Sequence, residues 1–183
     1  MGLIKDIRTK LHNYFLTKEL KTFKQMHESV DFVKAKTIGL LFDGTELSDR
    51  ETIVKYAQQL KKQGKNTKLL AFIDGDQQNG DFVFPHFTYK NLDWALRPNT
   101  QAATDFQKQS FDILINLSPK NSLPLEYISA FSKAKFRVGP LTDKTFCYEL
   151  MIDTAKNDDL KGFIQQLSFF LNKITNSHET ATA

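Results

Sequence analysis

Thr37-Ile-Gly-Leu-Leu-Phe42 and Lys68-Leu-Leu-Ala-Phe-Ile73 are two short, nearly continuous apolar runs, and the segment between them has a different rhythm. Runs of this length without polar alternation predict strands covered on both faces. Asp43-Gly44 ends the first run. Ser48 then precedes Glu51 by the spacing of a capping box, and Ile53, Val54, Ala57 and Leu60 recur at helical intervals up to Gly64. Lys61 and Lys62 sit where the helix dipole favours positive charge. Strand, helix and strand in this order predict a βαβ unit, two parallel strands joined by a crossover helix.

Downstream, Asp74 to Gly80 reads as a turn-rich loop. Asp81 to Phe87 alternates weakly, and Pro85, which lacks an N–H, makes it an edge strand. Residues 91–98 are irregular, with Trp94 expected as an anchor. A helix is expected near Thr100 to Gln109, followed by the clearest strand, Phe111-Asp-Ile-Leu-Ile-Asn-Leu117, and a loop over Ser118 to Ser122. Pro124 fits the first turn of a helix through Ala134. Strands at Phe136 to Gly139 and Tyr148 to Ile152 follow. A last helix after Asp158 or Asp159 carries Leu160, Phe163, Ile164, Leu167, Phe170 and Leu171 on one core face. Sixteen phenylalanines in 183 residues predict an aromatic-rich core. The expected fold class is α/β: a single three-layer Rossmann-like domain over residues 36–175 with a mostly parallel sheet, preceded by a basic amphipathic N-terminal helix, with a frayed tail at 176–183.

Right-handed crossovers would place the strands at 68–73 and 111–117 on opposite sides of the strand at 37–42. The chain order then reverses between the central strands, where open α/β sheets usually bind ligands beyond the strands' carboxyl ends. Asp43, Gly44 and Thr45 would face Asn116, Ser118, Lys120, Asn121 and Ser122 across that crevice. These groups suit a small polar or anionic ligand. They are equally the residues of ordinary turns and caps, Asp-Gly as a turn and Ser122 as an N-cap.

The charge lies elsewhere. Residues 1–26 carry six basic side chains (Lys5, Arg8, Lys10, Lys18, Lys21, Lys24) against Asp6 and Glu19, an excess of four that equals the formal charge of the whole chain. Residues 1–30 thus read as a basic helical arm on a neutral body. Leu3, Ile4, Ile7, Leu11, Tyr14 and Phe15 share one helical face, with Lys5, Arg8, Lys10 and Lys18 largely off it. Such a face has three apolar partners to choose from: its own body or a second copy, another protein, or an acidic membrane surface. The clustered lysines also suit RNA or a ribosome.

Other signals narrow the choice. One cysteine, Cys147, rules out an intrachain disulfide framework and suits a reducing compartment, so the cytoplasm is the expected location; Cys147 itself reads as a small core residue. No run approaches the roughly 20 apolar residues of a spanning helix. The amino terminus is too charged for a signal peptide, and Asp6 stands where a myristoylation motif has Ser or Thr. His12, His27, His86 and His178 lack metal-ligand spacing, so neither metal nor cofactor is expected. Gly39 and Gly44 have phosphate-loop spacing, but Thr45-Glu46 follows in place of Lys and Ser or Thr. Leu-Leu-Phe-Asp-Gly-Thr45 resembles the first motif of haloacid-dehalogenase-like phosphatases, with Leu41 where the nucleophilic aspartate belongs, which argues against that activity.

Lys5-Asp-Ile-Arg-Thr-Lys-Leu-His-Asn-Tyr-Phe15, Lys36-Thr-Ile-Gly-Leu-Leu-Phe-Asp43 and Ser132-Lys-Ala-Lys-Phe-Arg-Val-Gly139 resemble an uncharacterised family of small α/β proteins from Bacteroidota, a domain of unknown function. That resemblance implies a bacterial, cytoplasmic context and no assigned activity. Phe111 to Leu117, with the following helix and Ala134-Lys-Phe-Arg-Val-Gly139, is similar to part of the acceptor-side domain of heptosyltransferase-type glycosyltransferases; the chain is too short to hold their nucleotide-sugar half as well. Together these signals favour a non-catalytic binding or adaptor module that presents its basic helix to RNA or a ribosome, a protein, or an acidic membrane surface. The alternative is a small nucleotide- or sugar-binding enzyme, or a remnant of one, using the crevice.

Overall fold

The two runs that bracket the first crossover lie side by side in a parallel sheet, Thr37 opposite Asn66 and Leu40 opposite Leu69. A computed structural model describes residues 2–24, 28–75, 82–154 and 159–180, with the side chains of residue 2 and residues 174–180 left undescribed. The elements follow as α1 (Gly2–Leu20), β1 (Thr37–Asp43), α2 (Leu47–Lys62), β2 (Asn66–Ile73), β3 (His86–Thr88), a 3-10 turn at Tyr89–Asn91, α3 (Gln101–Lys108), β4 (Ile113–Asn116), α4 (Leu123–Ala130), β5 (Phe136–Pro140), β6 (Leu150–Ile152) and α5 (Leu160–Thr180). The sheet order is β3-β2-β1-β4-β5-β6, and every pairing is parallel. The order reverses between β1 and β4, as the sequence predicts. Among the described residues no helix is long and apolar enough to cross a membrane.

Side chains alternate along the strands, so each face gathers its own core. Ile38, Leu40 and Phe42 pack with Ile53, Leu60, Phe163 and Leu167 of α2 and α5 on one face. Leu41, Leu70, Phe72 and Leu114 pack with Phe106 of α3 and Leu125 and Ile128 of α4 on the other. Gly39 is required by closeness, since a Cβ there would stand 2.7 Å from the Phe111 ring. Gly64 ends the α2 turn at φ +80, a conformation that favours glycine.

Several local expectations change. Ser48 does not cap α2; the N-cap is Glu46, without a side-chain bond, and the Ser48 carbonyl instead accepts from Thr52 Oγ1 at 2.8 Å. Ser122 is the N-cap of α4 but contributes only backbone, its carbonyl accepting from Glu126 N. The Trp94 side chain is 59% exposed and is no core anchor, whereas its neighbours Ala95 and Leu96 are buried. Phe170 is exposed on α5 while Leu160, Phe163, Leu167 and Leu171 hold the core. The edge strand starts only after Pro85, where Ala71 N donates to the Pro85 carbonyl, and Asp81 lies outside the described residues, as do His27, Asp158 and residues 181–183. Helix α5 continues to Thr180, into the stretch expected to fray.

Candidate functional site

At the strand ends, the structure brings both halves of the expected crevice to neighbouring strands, with Asp43 closing β1 and Asn116 closing β4. Their polar atoms bond inward. Asp43 Oδ1 accepts from Thr45 N at 2.9 Å, and Thr45 Oγ1 accepts from Asp74 N at 2.8 Å. Arg50 bonds the carbonyls of Gly44 and Thr45 and lies 4.8 Å from the Phe82 ring centroid, so it ties this loop back to α2. On the other side, Asn116 Nδ2 donates to the Tyr148 hydroxyl at 2.7 Å, its Oδ1 accepts from Ser118 N at 3.1 Å, and Ser118 Oγ donates to the Lys120 carbonyl. Tyr148 is fully enclosed, lies so close over Gly139 that a Cβ there would fall 2.5 Å from its ring, and its hydroxyl is held well above its ordinary pKa by burial. Lys120 and Asn121 point to solvent and Ser122 is half-buried. Asp49 is pushed up by burial and by the charges of Glu46 and Asp43, with Lys120 opposing the rise and Asp159 adding to it. The mouth is therefore acidic, which disfavours an anionic ligand.

A second polar constellation lies beneath. Glu126, almost wholly buried in the first turn of α4, pairs with Lys144 and accepts from Thr142 Oγ1 at 3.4 Å. Arg137 of β5, 1% exposed, pairs with Glu149 and donates to the carbonyls of Ser129 and Ala130. Cys147 is enclosed and burial pushes its thiol up to about 12, a core residue rather than a nucleophile. Among the described residues no group of three His, Cys, Asp or Glu side chains could hold a metal ion.

The basic helix is docked, but not by the face its apolar residues define. Arg8 donates from Nε to the Trp94 carbonyl at 3.0 Å and from Nη2 to the Asp93 carbonyl at 3.2 Å. His12 is enclosed, with Nδ1 2.8 Å from the Ala95 carbonyl and its ring edge-on to Tyr127. Leu16 is buried with Ala130, Cys147 and Tyr148. Glu19 pairs with Arg97 and accepts from the Tyr127 hydroxyl at 2.8 Å, while Arg97 stacks on Phe15. At about 100° per residue, Arg8, His12, Leu16 and Glu19 share one face. Leu3, Ile4, Ile7, Leu11 and Tyr14 lie roughly a third of a turn away, and Leu3, Ile4, Ile7 and Tyr14 are 75%, 64%, 45% and 59% exposed.

The six basic residues of the arm therefore divide. Lys5, Lys10, Lys18, Lys21 and Lys24 are exposed, and Lys18 sits 5.8 Å from the Tyr14 ring centroid. Arg8 belongs to the docking contact instead. His12 is the residue that sequence reasoning passed over, because its partner is a backbone carbonyl in an irregular loop. That loop holds Leu96 at φ 59, a left-handed conformation uncommon for a branched side chain, and no motif announces it.

No curated protein matches the chain significantly. The sequence profile of a family of unknown function (DUF6913) matches residues 8–174, spanning every strand of the sheet and the docked part of α1, and the chain belongs to that family.

Proposed function

We propose that the protein is a non-catalytic binding module that docks on an acidic membrane surface through the outer face of α1. The observation that carries this reading is the exposure of Leu3, Ile4, Ile7 and Tyr14 while a face about a third of a turn away is pinned by Arg8, His12, Leu16 and Glu19. Residues 3–7 are exposed all round, so the first turns of α1 stand clear of the body. Apolar side chains gain free energy when they leave water, and lysines beside them are attracted to anionic headgroups. Lys10 borders the stripe, Lys18 follows it one turn beyond Tyr14, and Lys21 and Lys24 continue the positive charge past its end. An RNA surface would satisfy the lysines and leave the aliphatic side chains in water, so the apolar stripe favours lipid. A reducing, cytoplasmic setting accords with the single buried cysteine. The crevice reading has less support, since the hydroxyl and amide groups there are internally bonded and the mouth is acidic.

Co-sedimentation with phosphatidylcholine vesicles, with and without phosphatidylserine, tests the proposal. Binding is expected only with phosphatidylserine and is expected to weaken with salt. An Ile4→Asn, Ile7→Asn double variant and a Lys10→Gln, Lys18→Gln double variant should each lose about tenfold or more in affinity. Retention by neither vesicle, or binding indifferent to both variants, would overturn it; binding to single-stranded RNA that depends on the lysines but not on Ile4 and Ile7 would assign the helix to nucleic acid instead.

A further inference from the structure

Part of β2 is left as an open edge by the described residues. Strand β3 pairs with β2 only over Ala71, Phe72 and Ile73, so the first five residues of β2, Asn66 to Leu70, have β1 on one side and no strand on the other among the described residues. The register fixes which peptide groups are free. Asn66 N donates to the Lys36 carbonyl and the Phe72 carbonyl accepts from Gly44 N, so the even-numbered residues of β2 bond to β1. Ala71, odd-numbered, bonds outward to Pro85. The N–H and C=O groups of Thr67 and Leu69 thus point away from the sheet into open space.

That space is walled. A groove of about 560 Å³ runs along this edge, with Val54 and Ala57 of α2 and Phe84 on one side and Ala102 and Phe106 of α3 on the other. Pro85 stands at its upper end, where the chain crosses to enter β3. An open row of peptide groups between two apolar walls is the geometry into which an extended segment adds as a strand: backbone bonds give the attachment and alternate side chains fill the walls. The open stretch takes about four residues, roughly 13 Å at the strand rise. Charge selects among such segments. Asp105 on the groove wall and Lys68 each bond only to a neutral amide, Gln101 at 2.7 Å and Gln109 at 2.7 Å, and Lys61 adds a second, exposed cation at the rim. Two lysines against one carboxylate leave the groove with an excess of positive charge.

We propose that this edge of β2 binds an extended peptide of alternating apolar and acidic residues by strand addition, a second binding surface independent of α1. The apolar residues of the peptide face Val54, Ala57 and Phe84, and its carboxylates face Lys68. The peptide's backbone bonds to Thr67 and Leu69.

A capped hexapeptide of alternating valine and glutamate, titrated into the full chain and followed by amide NMR, is the test. Shifts should gather at Thr67 to Leu70 and at the facing positions of α2 and α3, with exchange of the Thr67 and Leu69 amide protons slowed. Thr67→Pro removes one outward N–H and leaves the bonds to β1 in place, so it should lower affinity tenfold or more without moving the melting temperature far. Val54→Arg blocks the groove from α2 and should do the same, which keeps the test decisive if the proline variant folds poorly. A valine and lysine hexapeptide should bind several-fold more weakly. No localised shifts at millimolar peptide, or binding unchanged in Val54→Arg, would overturn the proposal.

Discussion

At the scale of single residues, buried polar atoms decide how the helix and the body hold together. His12 Nε2 has no hydrogen-bond partner among the described residues, and burial lowers the ring's pKa below its ordinary 6.5; the Ala95 carbonyl and Asp93 work the other way, and Lys144 and Arg97 add to the lowering. A docked ring with a depressed pKa contributes fully above about pH 6.5 and loses that contribution as pH falls below it, because the undocked ring takes up the proton first. Protection factors of the α1 amides, corrected for intrinsic exchange, should therefore fall between about pH 7 and pH 5 in the wild type. They should be lower and nearly independent of pH over that range in His12→Gln. Asp112 is the opposite case. Burial raises its pKa, but N–H bonds from Thr37 and Lys36, with Lys135 and the Thr37 hydroxyl, bring it down to about 2. Its contribution is complete above the ordinary carboxylate value near 3.8 and is lost as pH falls toward 2. Asp112→Asn should cost about 1–3 kcal/mol at neutral pH in urea denaturation and should flatten this part of the acid limb.

At the scale of elements, the crossover and the switch between β1 and β4 were legible because apolar runs and helical periodicity are set by burial, and burial is what the sheet's two faces impose. The docking of α1 was not legible. Its apolar residues mark one face, but a face centred on Arg8, His12 and Glu19 makes the contact, using carbonyls of a loop whose shape only the tertiary fold fixes. Trp94 misleads for the same reason: the loop turns its backbone inward to α1 and its indole outward. The crevice residues were placed correctly at the strand ends, yet sequence could not say that Tyr148 fills the space beside Asn116. The first turn of α4 carries the sharpest stability prediction. Lys144→Met leaves the Glu126 carboxylate buried without its cation and should cost about 3–5 kcal/mol by urea denaturation, whereas adding Glu126→Gln should restore most of the loss. Equal losses in the single and double variants would show that the pair is not coupled.

At the scale of the molecule, charge and greasy surface are concentrated together. The arm holds the entire net charge, its lysines remain exposed, and the aliphatic side chains beside them face away from a body that is already closed on both sheet faces. The docked contacts of Arg8, His12, Leu16 and Glu19 fix the helix so that this surface is presented in one orientation. The β2 edge lies apart from it, between α2 and α3, so the two surfaces can be occupied at once. Whether the apolar side of α1 enters lipid is the central question, and it has a direct reading. Cys147 is fully enclosed and will not label, so a nitroxide can be placed on Ile7→Cys or, on a different exposed face, on Asn13→Cys. On phosphatidylserine-containing vesicles the label at position 7 should lose access to a water-soluble paramagnetic reagent while the label at position 13 keeps it; equal access at both positions with vesicles present would contradict the account.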